Sequence, residues 1–414
     1  MQTTHDSTYT YLCYGCGATH SGDWTGPCAA CGEPFSLLVQ GGKPSAERLK
    51  APAASMWDYA ELLPIRAREN IVTLGEGATP LVETPRLAKL FGFGTMLCKN
   101  EMSNPTGSFK DRQVSVGISH AREIGADTVA VVSSGNVACA ASAYAARAGM
   151  RAILLMHGHA AASKITQAAA YGGQAIQVDT PSAGEVFDLC IEACKRFGWY
   201  HLSTAGLYEP FNVEGAKTIA YEIYQQTGGY LPDWVVAPVG GGGLLGGIWR
   251  GFLDLQRLRL IDRIPRLAGI QASGCAPFVD AVRDHTPFLE TLKHPWPNPK
   301  TVAGGIADDI IFDGHTVLPA IRTTDGAAIA VDDEAILEGQ RLLATREGLL
   351  CEPTCAVVIA GLKHLPDVTE RTRVCCVLTG SGIKDLAGLQ ARVPLPTRVA
   401  PSLDALKAAL EEGR

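Results

Sequence analysis

A lysine with surroundings suited to covalent chemistry lies at residue 110. It ends the run Asn104-Pro-Thr-Gly-Ser-Phe-Lys110 and is followed by an acidic and a basic residue. The preceding proline and glycine predict that Lys110 begins a helix. There, burial and a nearby positive helix end would lower its pKa and prepare the amine for Schiff-base formation. By itself, a lysine beside Asp111 and Arg112 also fits a solvated charge cluster, so other segments must decide.

A glycine-rich turn supplies a candidate phosphate site. Four consecutive glycines, Gly240, Gly241, Gly242 and Gly243, follow an apolar run and precede a predicted helix. Because glycines have no Cβ, their backbone N–H groups can converge on an anion, and the helix dipole adds positive charge. The segment lacks both the lysine of a P-loop and the glycine spacing of a dinucleotide site. It therefore predicts a phosphate cradle of another kind.

Two further apolar runs end in polar turns. The first turn is Ser133-Ser134-Gly135-Asn136, whose backbone amides could bind a carboxylate and whose asparagine could bond a ring oxygen. The second is Val377–Gly382, a glycine turn that bears hydroxyl groups. A hydroxyl, unlike a carboxylate, would leave a pyridine nitrogen largely unprotonated.

Four of the thirteen cysteines have the spacing of metal ligands. Cys13 and Cys16 form one Cys-x2-Cys turn, and Cys28 and Cys31 form a second. Two such turns complete a tetrahedral site for structural zinc, with iron in a rubredoxin-like site as the alternative. A segment this small buries little core, so the metal would supply its folding free energy.

The rest of the chain alternates short apolar runs with amphipathic helices, which predicts an α/β fold with two doubly wound, mostly parallel-sheet domains. We expect a zinc ribbon in residues 1–40, a large domain from 41–115 with 206–414, and a small domain in 116–205. The least regular stretch, 284–326, is predicted to be a long active-site loop. The predicted strands are Thr95–Lys99, Thr128–Val132, Arg151–Met156, Ala175–Val178, Trp199–Leu202, Trp234–Pro238, Leu267–Ala272 and Arg373–Leu378.

Composition restricts the partners of this 414-residue chain. Its net charge of −6 gives no overall attraction to nucleic acid or to an anionic membrane. The start has no basic or apolar leader, so we expect no signal peptide. No apolar run reaches the length of a membrane span, so we expect no transmembrane helix. The remaining cysteines lie in apolar segments, which favours a reduced, cytoplasmic protein.

Together these segments resemble the threonine synthase family, within the fold-type II (tryptophan-synthase β-like) pyridoxal phosphate enzymes. The resemblance runs across essentially the whole chain with the motifs in the family's order, and the ribbon resembles the N-terminus of one branch. The motifs that carry it are Thr73–Leu81, Asn104–Arg112, Ser133–Asn136, Gly240–Gly243, Cys351–Pro353 and Leu378–Asp385.

The resemblance implies a role for each motif. Lys110 would hold pyridoxal phosphate as a Schiff base, and the large domain would bind the cofactor while the small domain closes on an amino-acid substrate. Asn136 would face the phenolic oxygen, Gly240–Gly243 the phosphate, and Thr379 the pyridine nitrogen. Thr106 and Ser133–Asn136 would contact the substrate α-carboxylate. The freed Lys110 amine would move protons at Cα and Cβ of O-phosphohomoserine, phosphate would leave Cγ, and water would add at Cβ. A homodimer is also expected.

One position departs from the family. Where the family places an arginine that helps to bind the substrate phosphate, this chain has Asn212. Asparagine cannot supply a charge-assisted fork. The alternative is therefore β-replacement or β-elimination on phosphoserine or a hydroxy-amino acid. A nucleic-acid- or protein-binding ribbon fused to a degenerate enzyme is disfavoured by the acidic charge balance and the few basic residues around the ribbon.

Overall fold

The β-strands of the described chain form three separate sheets. The structure, a computed structural model, describes residues 9–21, 26–39, 43–156, 162–180, 183–390, 392–393 and 396–412. The strands are β1 Tyr9–Leu12, β2 Thr19–His20, β3 Ser36–Val39, β4 Leu81–Glu83, β5 Thr95–Asn100, β6 Thr128–Val132, β7 Arg151–Met156, β8 Gln174–Gln177, β9 Tyr200–His201, β10 Trp234–Pro238, β11 Arg266–Ala272, β12 Ala327–Val331 and β13 Arg373–Leu378.

Fifteen α-helices accompany these strands in the described chain, together with several short 3₁₀ segments. The helices are α1 Lys43–Arg48, α2 Pro85–Phe91, α3 Lys110–Glu123, α4 Asn136–Ala148, α5 Ala162–Ala170, α6 Ala183–Phe197, α7 Lys217–Gln226, α8 Gly243–Arg257, α9 Pro277–Arg283, α10 Phe288–Thr291, α11 Gly314–Thr323, α12 Asp333–Glu347, α13 Pro353–Gly361, α14 Leu386–Gln390 and α15 Leu403–Glu412.

The largest sheet has six strands in the order β12-β11-β10-β13-β5-β4. All neighbours are parallel except β4, which pairs antiparallel with β5 at the edge. The central strand β10 is buried along its whole length, as expected for a parallel strand covered on both faces. Helices α7 and α8 cover one face and α13 the other, which makes two apolar cores.

A smaller parallel sheet of four strands has the order β8-β7-β6-β9. Helix α4 packs on one face around Tyr144, and α6 packs on the other around Cys190. Two doubly wound layers are therefore present, which confirms the predicted fold class.

The N-terminal segment forms a three-stranded antiparallel sheet, β2-β1-β3. It packs against the larger layers through aromatic side chains: the Tyr9 ring lies 5.4 Å from Phe211, and the Tyr14 ring lies 5.1 Å from Trp249 on α8. Parts of the predicted ribbon, including residues 1–8 and 22–25, lie outside the described residues.

Four predicted strands, those now labelled β6, β7, β10 and β13, have the bounds expected from the sequence. The prediction for 284–326 is wrong in part, because helix α11 fills its last third and the short α10 lies near its start. The edge strands β4 and β12 were not predicted, since they are short or only half-buried. Within the described chain, no helix combines the length and apolarity needed to cross a membrane.

Candidate active site

The loop before α3 is hydrogen-bonded to the turn after β13. Phe109 N–H donates to Thr379 O at 2.9 Å, and Ser381 N–H donates to Gly107 O at 3.0 Å. Ser108 and Gly380 form a bridge between these two bonds. Because both segments follow parallel strands of one sheet, the start of α3 lies at its carboxyl edge, where α/β folds bind ligands.

Lys110 is the first residue of α3, as predicted. Its Nζ donates to Gln113 Oε1 at 3.1 Å and lies 4.6 Å from the centre of the Phe109 ring. Removal of the amine from water lowers the pKa of Lys110 to about 8, against the opposing effect of nearby carboxylates. An amine with this pKa is partly neutral at physiological pH and can act as a nucleophile or base.

Thr106 is held by the first turn of α3. Its N–H donates to Asp111 Oδ2 at 2.7 Å, and its hydroxyl donates to Asp111 Oδ1 at 2.6 Å. Burial raises the pKa of Asp111 to about 7, although these two bonds oppose the shift. Thr106 is thus beside the site, but its hydroxyl proton is already used within the loop.

The start of α4 faces the same turn. Asn136 is the first residue of α4, after the Ser133–Gly135 turn, and its Nδ2 donates to Glu352 Oε1 at 2.7 Å. Glu352 is buried and also accepts from Lys164 Nζ at 2.9 Å. Ser133 Oγ accepts from Gly135 N–H at 3.1 Å and so shapes the turn. The sequence did not predict these contacts of Glu352, since its partners belong to distant segments.

Several buried polar atoms around Lys110 have no hydrogen-bond partner in the described chain. They are Ser108 Oγ, Gln113 Nε2, Asn136 Oδ1 and Thr379 Oγ1. A buried polar atom without a partner is costly, so such a group indicates a ligand. A flat heteroaromatic ring with oxygen and nitrogen substituents would meet this demand, and the residues therefore fit pyridoxal phosphate.

The four glycines form the predicted turn between β10 and α8. Gly242 has φ of 102°, and a Cβ there would lie 2.8 Å from Val317 Cγ1, so the position requires glycine. Gly241 N–H donates to Asp308 Oδ2 at 2.7 Å. A carboxylate oxygen on this N–H shows that the turn accepts an oxyanion, which fits a phosphate cradle.

A second carboxylate, Asp313, lies beside the cradle. Its Oδ1 accepts from Gly206 N–H at 2.8 Å, and its own N–H donates to Gly241 O at 2.7 Å. Burial raises the pKa of Asp313 to about 7. Neither aspartate was predicted as a site residue from the sequence, although both lie within 284–326, the stretch predicted to be an active-site loop.

Asn212 lies apart from this group. Its side chain is fully buried, and Nδ2 donates to Ser203 O at 2.7 Å. A Cβ on Gly117 would lie 3.1 Å from Asn212 Oδ1, so the amide packs against α3 about two turns beyond Lys110. These contacts do not bring Asn212 to Lys110, and its contact with substrate stays a prediction.

The four predicted metal ligands meet within the ribbon. The sulfur atoms of Cys13, Cys16, Cys28 and Cys31 all lie within 4.8 Å of one another. Cys13 Sγ is 3.4 Å from Cys31 Sγ, and Cys16 Sγ is 3.5 Å from Cys28 Sγ. Four sulfurs at these separations fit the ligand set of one tetrahedral ion.

Comparison with known proteins supports pyridoxal phosphate as the cofactor. Residues 72–380 match the family described as pyridoxal-phosphate dependent enzyme. The threonine synthase of Methanocaldococcus jannaschii is 36% identical over 408 residues, which cover 97% of this chain and 99% of that protein. The threonine synthase of Synechocystis sp. is 38% identical over 330 residues, which cover 79% of this chain and 82% of that protein.

Solved structures share the fold. Maize serine racemase matches with a TM-score of 0.65 and 21% identity, over 81% of this chain and 93% of that one. The processed form of threonine deaminase isoform 2 from Solanum lycopersicum matches with a TM-score of 0.64 and 19% identity, over 87% of this chain and 94% of that one. With the family match and the threonine synthase relatives, the chain belongs to the pyridoxal-phosphate dependent enzyme family and is a threonine synthase-like member of it.

Proposed function

We propose that this enzyme converts O-phosphohomoserine and water to threonine and phosphate, the reaction that its resemblance to threonine synthases implies. The observation that carries the proposal is the set of unpartnered polar atoms beside Lys110, joined to a glycine turn that accepts an oxyanion. The threonine synthases at 36% and 38% identity support it.

In this proposal each motif has one task. Pyridoxal phosphate supplies an electron sink that stabilises negative charge at the substrate's Cα. Lys110 carries the cofactor and, once released by substrate, takes and returns protons at Cα and Cβ, for which its lowered pKa suits it. The first turn of α4, with Ser133, Ser134 and Gly135, binds the α-carboxylate through backbone N–H groups. Asn136, Thr379 and Gly240–Gly243 hold the cofactor.

The test combines chemistry with identification of the lysine. The purified enzyme with pyridoxal phosphate is given O-phosphohomoserine, and phosphate and threonine are measured. In parallel, borohydride should fix the cofactor onto the peptide that contains Lys110, as read by mass spectrometry. Absence of threonine and phosphate would contradict the proposed reaction, and absence of the labelled peptide would contradict the role of Lys110, while the exposed-lysine variant Lys89→Ala should retain both signals.

A second candidate is β-replacement or β-elimination on phosphoserine or a hydroxy-amino acid. The cations near the site are already paired: Lys164 with Glu352, and Lys384 with Thr106 O at 2.7 Å and Gln167 Oε1 at 2.5 Å. A substrate without a phosphate needs no free cation, which favours a hydroxy-amino acid among these. Turnover of serine or threonine to a keto acid, with none of O-phosphohomoserine, would establish this candidate over the first.

We also propose that the four cysteines bind one structural zinc ion. The close sulfur atoms support this, and a site with four protein ligands leaves no position for substrate. Metal analysis of the purified enzyme should find about one zinc per chain, and none in Cys16→Ser. The buried, non-clustered Cys190→Ser should keep it. Iron with a visible thiolate absorbance would overturn zinc in favour of the rubredoxin-like site.

The domain division is part of the proposal. We infer that 41–115 with 206–414 binds the cofactor and that 116–205 closes on the substrate, which agrees with one sheet in each part. The homodimer stays a prediction, and sedimentation of the purified enzyme tests it.

A further inference from the structure

Glu352 is a buried carboxylate that joins turns from the two parallel sheets. Its N–H donates to Gly380 O at 2.9 Å, which fixes its backbone beside the turn after β13. Although it is the N-cap residue of α13, its side chain accepts no hydrogen bond from that helix. Its two oxygens instead accept from Asn136 at 2.7 Å and from Lys164 at 2.9 Å, both of which belong to helices of the smaller layer.

The carboxylate lies directly over the turn that carries Thr379. A Cβ on Gly380 would overlap Glu352 Oε1, so the turn leaves space for this oxygen only because residue 380 is glycine. Glu352 is therefore between Asn136 and Thr379, each of which has one buried oxygen without a partner. A carboxylate that has its own hydrogen-bond partners, and that leaves the oxygens of its neighbours free to bond a ligand, is suited to orient those neighbours.

Several charged or ionisable groups face this carboxylate from the packed elements. Lys164 on α5 is its direct partner, and Lys384, in the turn after β13, is close enough for Glu352 to oppose the burial that lowers its pKa. Cys139 on α4 and Asp111 on α3 act on the same lysine. The charge in this group therefore comes from Glu352 and Lys164 together with Lys384 and Asp111.

We propose that Glu352 is a positioning residue for the cofactor. By accepting from Nδ2 it holds the Asn136 amide toward the ring, and together with Lys164 it places charge beside the phenolic oxygen that Asn136 would face, next to the nitrogen of Lys110. Asp308 and Asp313 act on the Lys110 amine directly and are unchanged in the variants below. This inference rests on the proposed function, in which Lys110 carries pyridoxal phosphate and Asn136 faces its phenolic oxygen.

The test uses the purified holoenzyme and the absorbance of its bound cofactor, titrated with pH. Glu352→Gln removes one negative charge but keeps an oxygen that can accept from Asn136. Lys164→Met removes the positive partner and keeps an unbranched apolar stem. A negative charge favours the protonated nitrogen and a positive charge disfavours it. The midpoint should therefore fall by about one pH unit in Glu352→Gln and rise in Lys164→Met.

Midpoint shifts in opposite directions would separate an electrostatic role from a packing role, because a loss of packing does not depend on the sign of the charge that is removed. The matched control is Glu290→Gln, which removes the carboxylate of an exposed pair with Lys293 and should leave the midpoint unchanged. Unchanged midpoints, or shifts of the same sign, in Glu352→Gln and Lys164→Met would overturn the inference. If the unaltered enzyme shows no cofactor absorbance, and borohydride attaches no cofactor to Lys110, the proposed function fails rather than this inference.

Discussion

Two polar regions flank the start of α3, and they differ in how completely they are paired. Below the helix lies a buried charge network, by which we mean Lys99, Glu101, Arg112 and Glu222. Arg112 donates to Glu101 at 2.6 and 2.8 Å and to Glu222 at 2.5 and 2.8 Å, and Lys99 donates to Glu222 at 2.5 Å. Two cations thus meet two anions, with no side-chain atom of this network left unpartnered.

In the second region, beside Lys110, the buried polar atoms are incompletely hydrogen-bonded. Ser108, Gln113, Asn136 and Thr379 each retain one buried oxygen or nitrogen without a partner in the described chain. We call these four residues the open cluster. The difference teaches that burial of polar groups has two meanings: a closed network stabilises the fold, whereas an open one is completed by a ligand. Changes in the first should alter stability, and changes in the second should alter cofactor binding.

The largest expected effect comes from Lys110, beside the open cluster. Lys110→Ala should lower threonine formation by about 10³-fold or more, since both covalent attachment and the proton-transferring amine are lost. Its single hydrogen bond, to Gln113, predicts little change in the melting temperature. Activity and thermal unfolding are measured on the same preparation. A large drop in melting temperature with retained turnover would reverse the assignment of this residue.

The buried charge network should respond in the opposite way. Glu222→Ala removes one of the two anions of the network, so that Arg112 and Lys99 have only Glu101 to balance them and one positive charge is left unpaired in the interior. This should cost about 3–5 kcal/mol of unfolding free energy in denaturant titrations. The control Glu47→Ala breaks an exposed pair with Lys50 and should cost at most about 1 kcal/mol.

The network also predicts a pH dependence of stability. Burial by itself raises the pKa of Glu222, but Arg112 and Lys99 outweigh it and lower the pKa from 4.5 to about 2. A lowered carboxyl pKa stabilises the fold above the unfolded value, and that contribution is lost as pH falls from 4.5 toward 2. Glu222→Ala should lack this loss, and an equal acid slope in both proteins would contradict it.

From the sequence, Lys110 was predicted, and so were Asn136 and Thr379 of the open cluster, whereas Ser108 and Gln113 and the contacts between segments were not. Lys110 and Asn136 each begin a helix after a polar turn, and such local patterns are legible in the residue order. The contacts that complete the site join distant segments: Asn136 meets Glu352 across 216 residues, and Gly241 meets Asp308 across 67. No hydrophobic period records such a pairing, because it depends on how the layers pack.

The same limit explains Asn212. The family motif places Asn212 where a substrate contact is expected, and that contact stays a prediction; the structure adds that the side chain packs under α3 against Gly117. The motif fixes the residue's place in the chain, whereas the direction of its side chain depends on the turn that carries it. The fold class needed less information, since buried strands such as Trp234–Pro238 appear as continuous apolar runs.

A pair of threonines compares the two regions with one chemical change. Thr79 and Thr379 are equally buried, at 2% exposure. Thr79 donates to Glu101 at 2.7 Å and accepts from Arg112 at 3.1 Å, whereas the Thr379 hydroxyl is unpartnered. Thr79→Val should therefore cost about 1–3 kcal/mol of stability.

Thr379→Val should cost the cofactor-free enzyme nothing, because it removes an unsatisfied hydroxyl, and should weaken cofactor binding about tenfold through the lost bond of about 1.4 kcal/mol. Unfolding of the cofactor-free enzyme and fluorescence titration with pyridoxal phosphate measure the two effects. Equal destabilisation by both substitutions would remove the distinction between the regions.

The smallest expected effect concerns Asp308, the carboxylate that already bonds the cradle at Gly241. Burial raises its pKa, although Lys110 and the Gly241 N–H oppose the shift. When charged, it competes with the cofactor phosphate for the same N–H and repels it. Asp308→Asn should therefore tighten pyridoxal phosphate binding several-fold at neutral pH, and the neighbouring Asp309→Asn serves as the control.

The competition also predicts how the affinity for pyridoxal phosphate changes with pH. Protonation of Asp308 removes its charge, so the unaltered enzyme should gain affinity for pyridoxal phosphate as pH falls, and Asp308→Asn should gain less. Pyridoxal without its phosphate does not need the cradle, so any change in its affinity reports the effect of Asp308 on the Lys110 amine, whose pKa Asp308 raises. The additional change seen only with pyridoxal phosphate is the competition at the cradle. If Asp308→Asn binds pyridoxal phosphate more weakly, the carboxylate supports the cradle rather than competing for it. The glycine turn would then resemble the buried charge network, in which the protein supplies every partner.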